Sequence, residues 1–183
     1  MEIIKRNGII VSSQPIVLSS GEKSYYYYDL KMVLADPVGA TLVGELLYDI
    51  IAREFNAKSV GGLEMGAIPI STAIIIGSIR GSSSDGIRQF IVRRNVKTHG
   101  SGKKVEGYLD EPVVVVDDVM TKGNSVIQAI EAVRSEGYST AGVALIIDRE
   151  VSHNFVKNRI KCLSIFNHSD FKGYIDVKLK EIH

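Results

Sequence analysis

Asp117 and Asp118 are adjacent carboxylates that follow four valines, Val113–Val116, and precede Val119-Met120-Thr121-Lys122-Gly123-Asn124-Ser125. An unbroken β-branched row reads as a strand buried on both faces of a parallel sheet. In open α/β sheets ligands bind at the carboxyl ends of the strands, which is where this sequence puts its acids. Gly123 permits a tight turn and close approach of the backbone to a ligand. The N–H groups of a helix starting at Asn124, with the positive end of its dipole, form an anion site suited to phosphate. Thr121, Asn124 and Ser125 add hydroxyl and amide donors. The two acids can accept hydrogen bonds from a diol or help to hold Mg²⁺ through water. A plain helix start with solvated acids is the alternative use of the same residues.

A second charged stretch, Arg93–Gly107, holds Arg93, Arg94, Lys97 and His99 among glycines, with no apolar period. That composition predicts an exposed, mobile loop. A cationic lid of this kind would stabilise a departing anion and exclude water. A solvated charged face is the alternative. GSGKK at Gly100–Lys104 fails as a P-loop, because Lys97 takes the first glycine position and Lys104 stands where Ser or Thr is required.

The elements that must position these groups alternate along the chain. From Pro37 to about Phe55, Leu42, Val43, Leu46, Leu47, Ile50 and Ile51 recur at helical spacing, with Asp36 as N-cap and Pro37 in the first turn. Ser59–Gly62 reads as a strand, Leu63–Ala67 as a loop, and the following residues to about Ile79 as a helix. Gln89–Val92 reads as a strand. Asn124–Glu136 is a helix stopped by Gly137. Gly142–Ile147 and Cys162–Phe166 complete the strands, and Cys162 reads as a buried thiol. The alternation predicts a parallel α/β sheet with right-handed crossovers. The first and last ~30 residues read as irregular or antiparallel additions, forming one lobe over the sheet edge.

Composition narrows the class. Hydrophobic residues make up 45% and charged residues 23% of 183 residues, as in an ordinary globular domain. A formal net charge of +1 argues against a large nucleic-acid footprint. No apolar run approaches the ~18 residues of a membrane span. One cysteine excludes an internal disulfide, and MEIIKRNGII lacks the layout of a signal peptide, so a cytoplasmic single domain is expected.

The segment Val113–Val126 resembles the ribose-phosphate loop of the type I phosphoribosyltransferases. In that family the two acids contact the ribose hydroxyls of 5-phosphoribosyl-1-pyrophosphate and the loop wraps its 5-phosphate. The resemblance therefore implies donor contacts from Asp117 and Asp118 through Val119, Met120, Thr121, Lys122, Gly123, Asn124 and Ser125. Three further segments resemble the orotate branch. SSGEKSYYYYDLK (Ser19–Lys31) matches its aromatic signature and places Tyr27 and Tyr28 beside the planar base, with Thr121 as a further contact. An edge strand of tyrosines is the alternative. GLEMGAIPIS (Gly62–Ser71) resembles the pyrophosphate loop, which implies contacts from Glu64, Met65, Gly66 and Ala67. RRNVKTHGSGKKVEG (Arg93–Gly107) resembles the catalytic lid, which makes Arg93, Arg94, Lys97 and His99 catalytic together with Asp117 and Asp118.

Arg149, in IIDRE, matches the position that pairs with the orotate carboxylate, for which a planar guanidinium fork is suited. A surface pair with Glu150 is the alternative. Ser19 and Gly66 depart from the family, since many members carry lysine at both, and Lys122 stands where a small residue is usual. The resemblance implies a central, mainly parallel sheet flanked by helices, with an accessory lobe formed by residues 1–35 and about 150–183. It implies transfer of ribosyl phosphate to orotate, with Mg²⁺ brought by the donor's phosphates and no direct protein ligand assigned. It also implies a homodimer in which the Arg93–Gly107 lid reaches the partner's site. A phosphoribosyltransferase for another base, or a non-catalytic nucleotide sensor of the same fold, remains open.

Overall fold

The computed structural model describes residues 1–18, 21–80, 86–95, 103–150 and 159–182. Ser19, Lys97 and His99 lie outside them. Among the described residues, a six-stranded sheet has the order β5-β4-β3-β6-β7-β8, formed by Val105–Gly107, Arg88–Val92, Ser59–Leu63, Val113–Met120, Thr140–Asp148 and Cys162–Asn167. All neighbours run parallel except β4 and β5. A separate antiparallel hairpin, β1 (Ile9–Val17) and β2 (Lys23–Tyr28), follows a π-helical turn at Ile4–Gly8. Five α-helices complete the described elements: α1 (Leu30–Leu34), α2 (Pro37–Phe55), α3 (Ala67–Arg80), α4 (Asn124–Ser135) and α5 (Ser169–Ile182).

The valine row explains why β6 lies in the middle. Val114 and Val116 pack into a core with Leu47 and Ile51 of α2 and Ile70 and Ile74 of α3. Val113 and Val115 point the other way, into a core with Val126, Ala129 and Val133 of α4. Alternation along a strand sends successive side chains to opposite faces, so both sets are dry. Burying each valine contributes roughly 1.5–3 kcal/mol relative to leaving it in water. The helix α2 begins as expected: Asp36 Oδ1 accepts from the N–H groups of Val38 (3.0 Å) and Gly39 (2.9 Å).

The chain moves outward from β3 to β4 on one side and from β6 to β7 on the other. Such a reversal of winding leaves a crevice at the carboxyl ends of the two central strands. The segment after β3 and the segment after β6 therefore meet there.

Four expectations need correction. First, β6 does not end at Val116 but continues to Met120, because Asp117, Val119 and Met120 keep pairing with Leu145, Ile147 and Asp148 of β7. The acids thus stand on the strand, not in a loop. Second, the Arg93–Gly107 stretch is not loop throughout. Val105–Gly107 pairs with β4, burying Val105, and Gly107 has φ +100° with its Cα so close to β4 that a Cβ would lie 2.4 Å from the Gln89 oxygen. Third, the region from about 150 to 183 does not serve only as an accessory lobe. Its β8 joins the central sheet beside β7, and Phe171 and Ile175 of α5 enter the same core as α2 and α3. Fourth, Cys162 is half-buried rather than buried, since β8 is the outermost strand, and its thiol donates to the Ile160 oxygen at 3.5 Å.

Candidate active site

The carboxyl end of β6 feeds α4 through a short turn at Thr121–Gly123. Gly123 adopts φ +77° at the start of α4, a left-handed conformation that side chains disfavour. The α4 start has no side-chain cap hydrogen bond and no acid in its first turn. Its leading N–H groups and dipole therefore remain available to an anion. A cleft of about 280 Å³ opens over this turn. Asp117, Asp118, Thr121, Gly123, Asn124 and Ser125 line it, with Val119 and Met120 behind. Arg94 reaches the same cleft from the end of β4.

Gln128 also lines this cleft, a contact the sequence reading missed. It lies one helical turn beyond Asn124, whose carbonyl accepts from its side-chain amide at 3.3 Å. The helical spacing was the available signal.

The acids are held by the backbone around them. Asp118 N–H donates to Asp117 Oδ1 at 3.1 Å, and Val119 N–H donates to Asp118 Oδ1 at 2.7 Å. Burial first, and the Asp118 carboxylate second, push Asp117 up to about 8. The segment after β3 stands beside them. A Cβ placed on Gly66 would lie 3.5 Å from Asp117 Oδ1 and 3.6 Å from Asp118 Cγ. A Cβ there would thus meet both acids at ordinary van der Waals distance. The Glu64–Met65 peptide is cis, Met65 is exposed, and Ala67 begins α3.

The predicted lid cations separate at its described base. Arg94 is exposed in the cleft, and its N–H donates to Glu64 Oε1 at 2.8 Å. Arg93 instead turns to Glu106 on β5, with Nε 2.6 Å from Oε1. Lys122 points away to Glu22, 2.9 Å distant, near the tip of the β1–β2 hairpin. Both members of that pair are about half exposed, so it contributes at most about 1 kcal/mol. The buried strand, not this pair, fixes the turn.

A second pocket, of about 100 Å³, adjoins the first. Tyr27, Tyr28, Thr121 and Arg149 line it together. Leu18 completes the wall from the hairpin tip, a residue the sequence did not single out. Asp118, Val119 and Thr121 belong to both cavities, so the two share a wall. Arg149 is anchored at the end of β7, where its N–H donates to the Met120 oxygen at 3.0 Å. Asp148 Oδ1 accepts from Glu150 N–H at 2.7 Å, closing the turn that carries Arg149.

Glu150 is engaged elsewhere, since its Oε2 accepts from Ser169 N–H at 2.8 Å. Arg149 itself donates to the Tyr26 hydroxyl and lies 4.8 Å over the Tyr26 ring. The surface Arg149–Glu150 pair is therefore not the arrangement adopted.

These two joined cavities sit on a phosphoribosyltransferase framework. The family model for the phosphoribosyl transferase domain matches residues 29–182, and the chain belongs to that family. Among the relatives it matches are orotate phosphoribosyltransferases. The enzyme of Aquifex aeolicus is 39% identical over 92% of this chain and 93% of its own length. The crystallised orotate phosphoribosyltransferase of Mycobacterium tuberculosis is 30% identical, covers 92% of this chain and 94% of that one, and superposes with a TM-score of 0.74. A second structure of the M. tuberculosis enzyme, in complex with 5-phospho-α-D-ribosyl 1-diphosphate, is 25% identical over 92% of this chain and 87% of that one, with a TM-score of 0.67.

Proposed function

We propose that this chain transfers ribosyl phosphate from 5-phosphoribosyl-1-pyrophosphate to orotate, giving orotidine 5′-phosphate and pyrophosphate for pyrimidine synthesis. The observation that carries the reading is the shared wall at Asp118, Val119 and Thr121. One side of it is an anion cleft at a helix start. The other is a flat pocket with tyrosines and a guanidinium. A donor and a planar carboxylate-bearing acceptor would meet across that wall.

In this reading the α4 start and Thr121, Asn124 and Ser125 hold the 5-phosphate, and Asp117 and Asp118 accept from the ribose hydroxyls. Arg149 takes the acceptor's carboxylate, and Tyr27 and Tyr28 flank its ring. The ring nitrogen attacks the anomeric carbon as its bond to pyrophosphate oxygen breaks; the pyrophosphate leaves with the electron pair, and the proton of the ring N–H passes to it or to solvent. Arg94, together with Lys97 and His99 of the lid, would balance the charge that develops on it. Gly66, which stands beside both acids, and its neighbours Glu64, Met65 and Ala67 would border the leaving group in this reading. Arg93 acts less directly, by fixing the lid's base through Glu106.

Among the described residues no cluster of three or more His, Cys, Asp or Glu is placed to hold a metal. The donor set fits Mg²⁺ only as a shared ion: Asp117 and Asp118 can offer oxygens, directly or through water, with the rest from the donor's phosphates. Bound there, Mg²⁺ would neutralise phosphate charge.

The protein would work as a homodimer in the cytosol. Leu42 and Leu46 of α2 and Ile76 and Ile79 of α3 are exposed on adjoining helices and suit contact with a second copy of this chain. Among the described residues no helix is long and apolar enough to cross a membrane.

The deciding assay mixes protein, Mg²⁺, donor and orotate and follows orotate ultraviolet absorbance, which should fall. Turnover with uracil or a purine but not orotate would refute the acceptor. Binding of donor without any turnover would favour a sensor.

A further inference from the structure

Arg149 does not hold its place at the acceptor pocket alone. Its guanidinium lies on the Tyr26 ring and donates to the Tyr26 hydroxyl. His168 also stacks on Tyr26, nearly parallel at 8°, with ring centroids 5.4 Å apart. His168 Nδ1 is 2.8 Å from the Tyr28 hydroxyl, and Tyr28 lines the pocket. Tyr26 and Tyr28 also meet edge to face, with centroids 5.8 Å apart and planes at 81°. The main-chain N–H of His168 donates to the carbonyl oxygen of Asp148, the residue before Arg149, at 2.8 Å. The imidazole of His168 thus touches both aromatic supports of the pocket, while its main chain holds the backbone next to the pocket's cation.

Burial raises Tyr28 and, with the Arg149 charge second, lowers His168. A neutral imidazole accepting from the Tyr28 O–H fits both directions.

We propose that His168 is a positioning residue for acceptor selectivity, fixing Tyr26 and Tyr28 so that Arg149 presents a preset fork to a carboxylate-bearing planar base. The proposal rests on the reading of Arg149 as the carboxylate partner. Its logic is geometric: a planar fork recognises a carboxylate bidentately only if its plane is set. With one face on Tyr26 and one nitrogen on the Tyr26 hydroxyl, the guanidinium loses its freedom to swing away. His168 in turn constrains Tyr26 through the stacked ring. A base lacking the carboxylate would gain nothing from this constraint.

The test uses the full chain with His168→Phe, His168→Asn, Tyr26→Phe and Arg149→Ala. His168→Phe keeps a flat ring against Tyr26 but removes the partner of Tyr28. His168→Asn keeps an acceptor near the Nδ1 position but removes the ring. Tyr26→Phe keeps the ring under Arg149 and removes the hydroxyl. Each of these three is expected to raise KM for orotate roughly 5- to 10-fold, the loss of one hydrogen bond or ring contact. The KM for donor should stay within about twofold. The inhibition constant of uracil, the same ring without the carboxylate, should change clearly less than KM for orotate, because uracil shares the Tyr28 contact but not the Arg149 fork.

Parallel weakening of orotate and uracil, or of orotate and donor, would mean that His168 merely supports the fold and would overturn the proposal. Unchanged KM for orotate in both His168 variants would overturn it as well. If Arg149→Ala raises KM for orotate while the His168 variants do not, only this proposal fails. If Arg149→Ala leaves KM for orotate unchanged, the underlying reading of the pocket fails.

Discussion

The donor-side cleft takes nine of its ten lining residues from one continuous stretch, residues 117–128, with only Arg94 added from elsewhere. The acceptor pocket draws seven residues from four places: Leu18, Tyr27 and Tyr28, the Asp118–Thr121 stretch, and Arg149. The first is a strand, a turn and a helix start, so its geometry is local and follows from buried valines and a left-handed glycine. The second exists only once the β1–β2 hairpin has settled over the end of β7. A local site owes its shape to backbone conformation, whereas a composite one owes it to tertiary packing. The two should therefore respond differently to substitution.

The strongest test of that contrast is to remove the acids. Asp117→Asn with Asp118→Asn is expected to lower turnover by about 10²–10³-fold, measured as kcat/KM for donor, because charge complementarity at a preorganised site is lost. The acceptor pocket should still bind orotate, and loss of that binding would break the distinction. Arg149→Ala comes next, with an expected rise in KM for orotate of roughly 10- to 100-fold, the cost of a hydrogen-bonded charge pair. Its donor KM should hold.

Gly123→Ala should destabilise the protein by about 1–2 kcal/mol in urea unfolding, because the turn needs φ +77°. Donor binding should weaken with it.

The smallest effect concerns stability against pH. Asp117 is raised to about 8 in the folded chain, so the folded state binds its proton more tightly than the unfolded state does. As pH rises from the ordinary carboxylate range through 8, the unfolded chain gives up that proton first and the folded chain loses stability. Asp117→Asn alone should therefore raise Tm of the unliganded protein by about 2–4 °C near pH 8 and by less near pH 5. An equal gain at both pH values would show that ionisation is not the cause. The acids would then represent function retained at the expense of stability.

Legibility in the sequence followed the same division. Val113–Val116, the α2 start at Asp36 and the Gly123 turn are set by neighbours within a few residues, and the sequence placed each within a residue or so. The end of β6 was drawn too early because two acids look like a loop; pairing with β7 keeps them extended. The Val105–Gly107 strand was hidden in a charged stretch, since a three-residue edge strand leaves almost no period to read. Tyr27, Tyr28 and Arg149 were found through family likeness, and no spacing along the chain announces that they meet. Tyr26 could have been suspected from its two-residue spacing to Tyr28. His168, 140 positions away from Tyr28, carried no signal at all.

The link between Tyr28 and His168 has a counterpart in Tyr174, whose hydroxyl donates to the Lys5 carbonyl at 2.9 Å across a separation of 169 residues. During synthesis the early hairpin must therefore wait for α5 to emerge before its supports are in place. The strand-and-turn that takes the donor has all its local partners by the time β7 is made. Contacts of such long sequence separation form late because a large loop must close first. A nascent chain halted after β7 would carry the phosphate-binding turn with an unfinished acceptor wall, making the choice of base the last property this protein acquires as it folds.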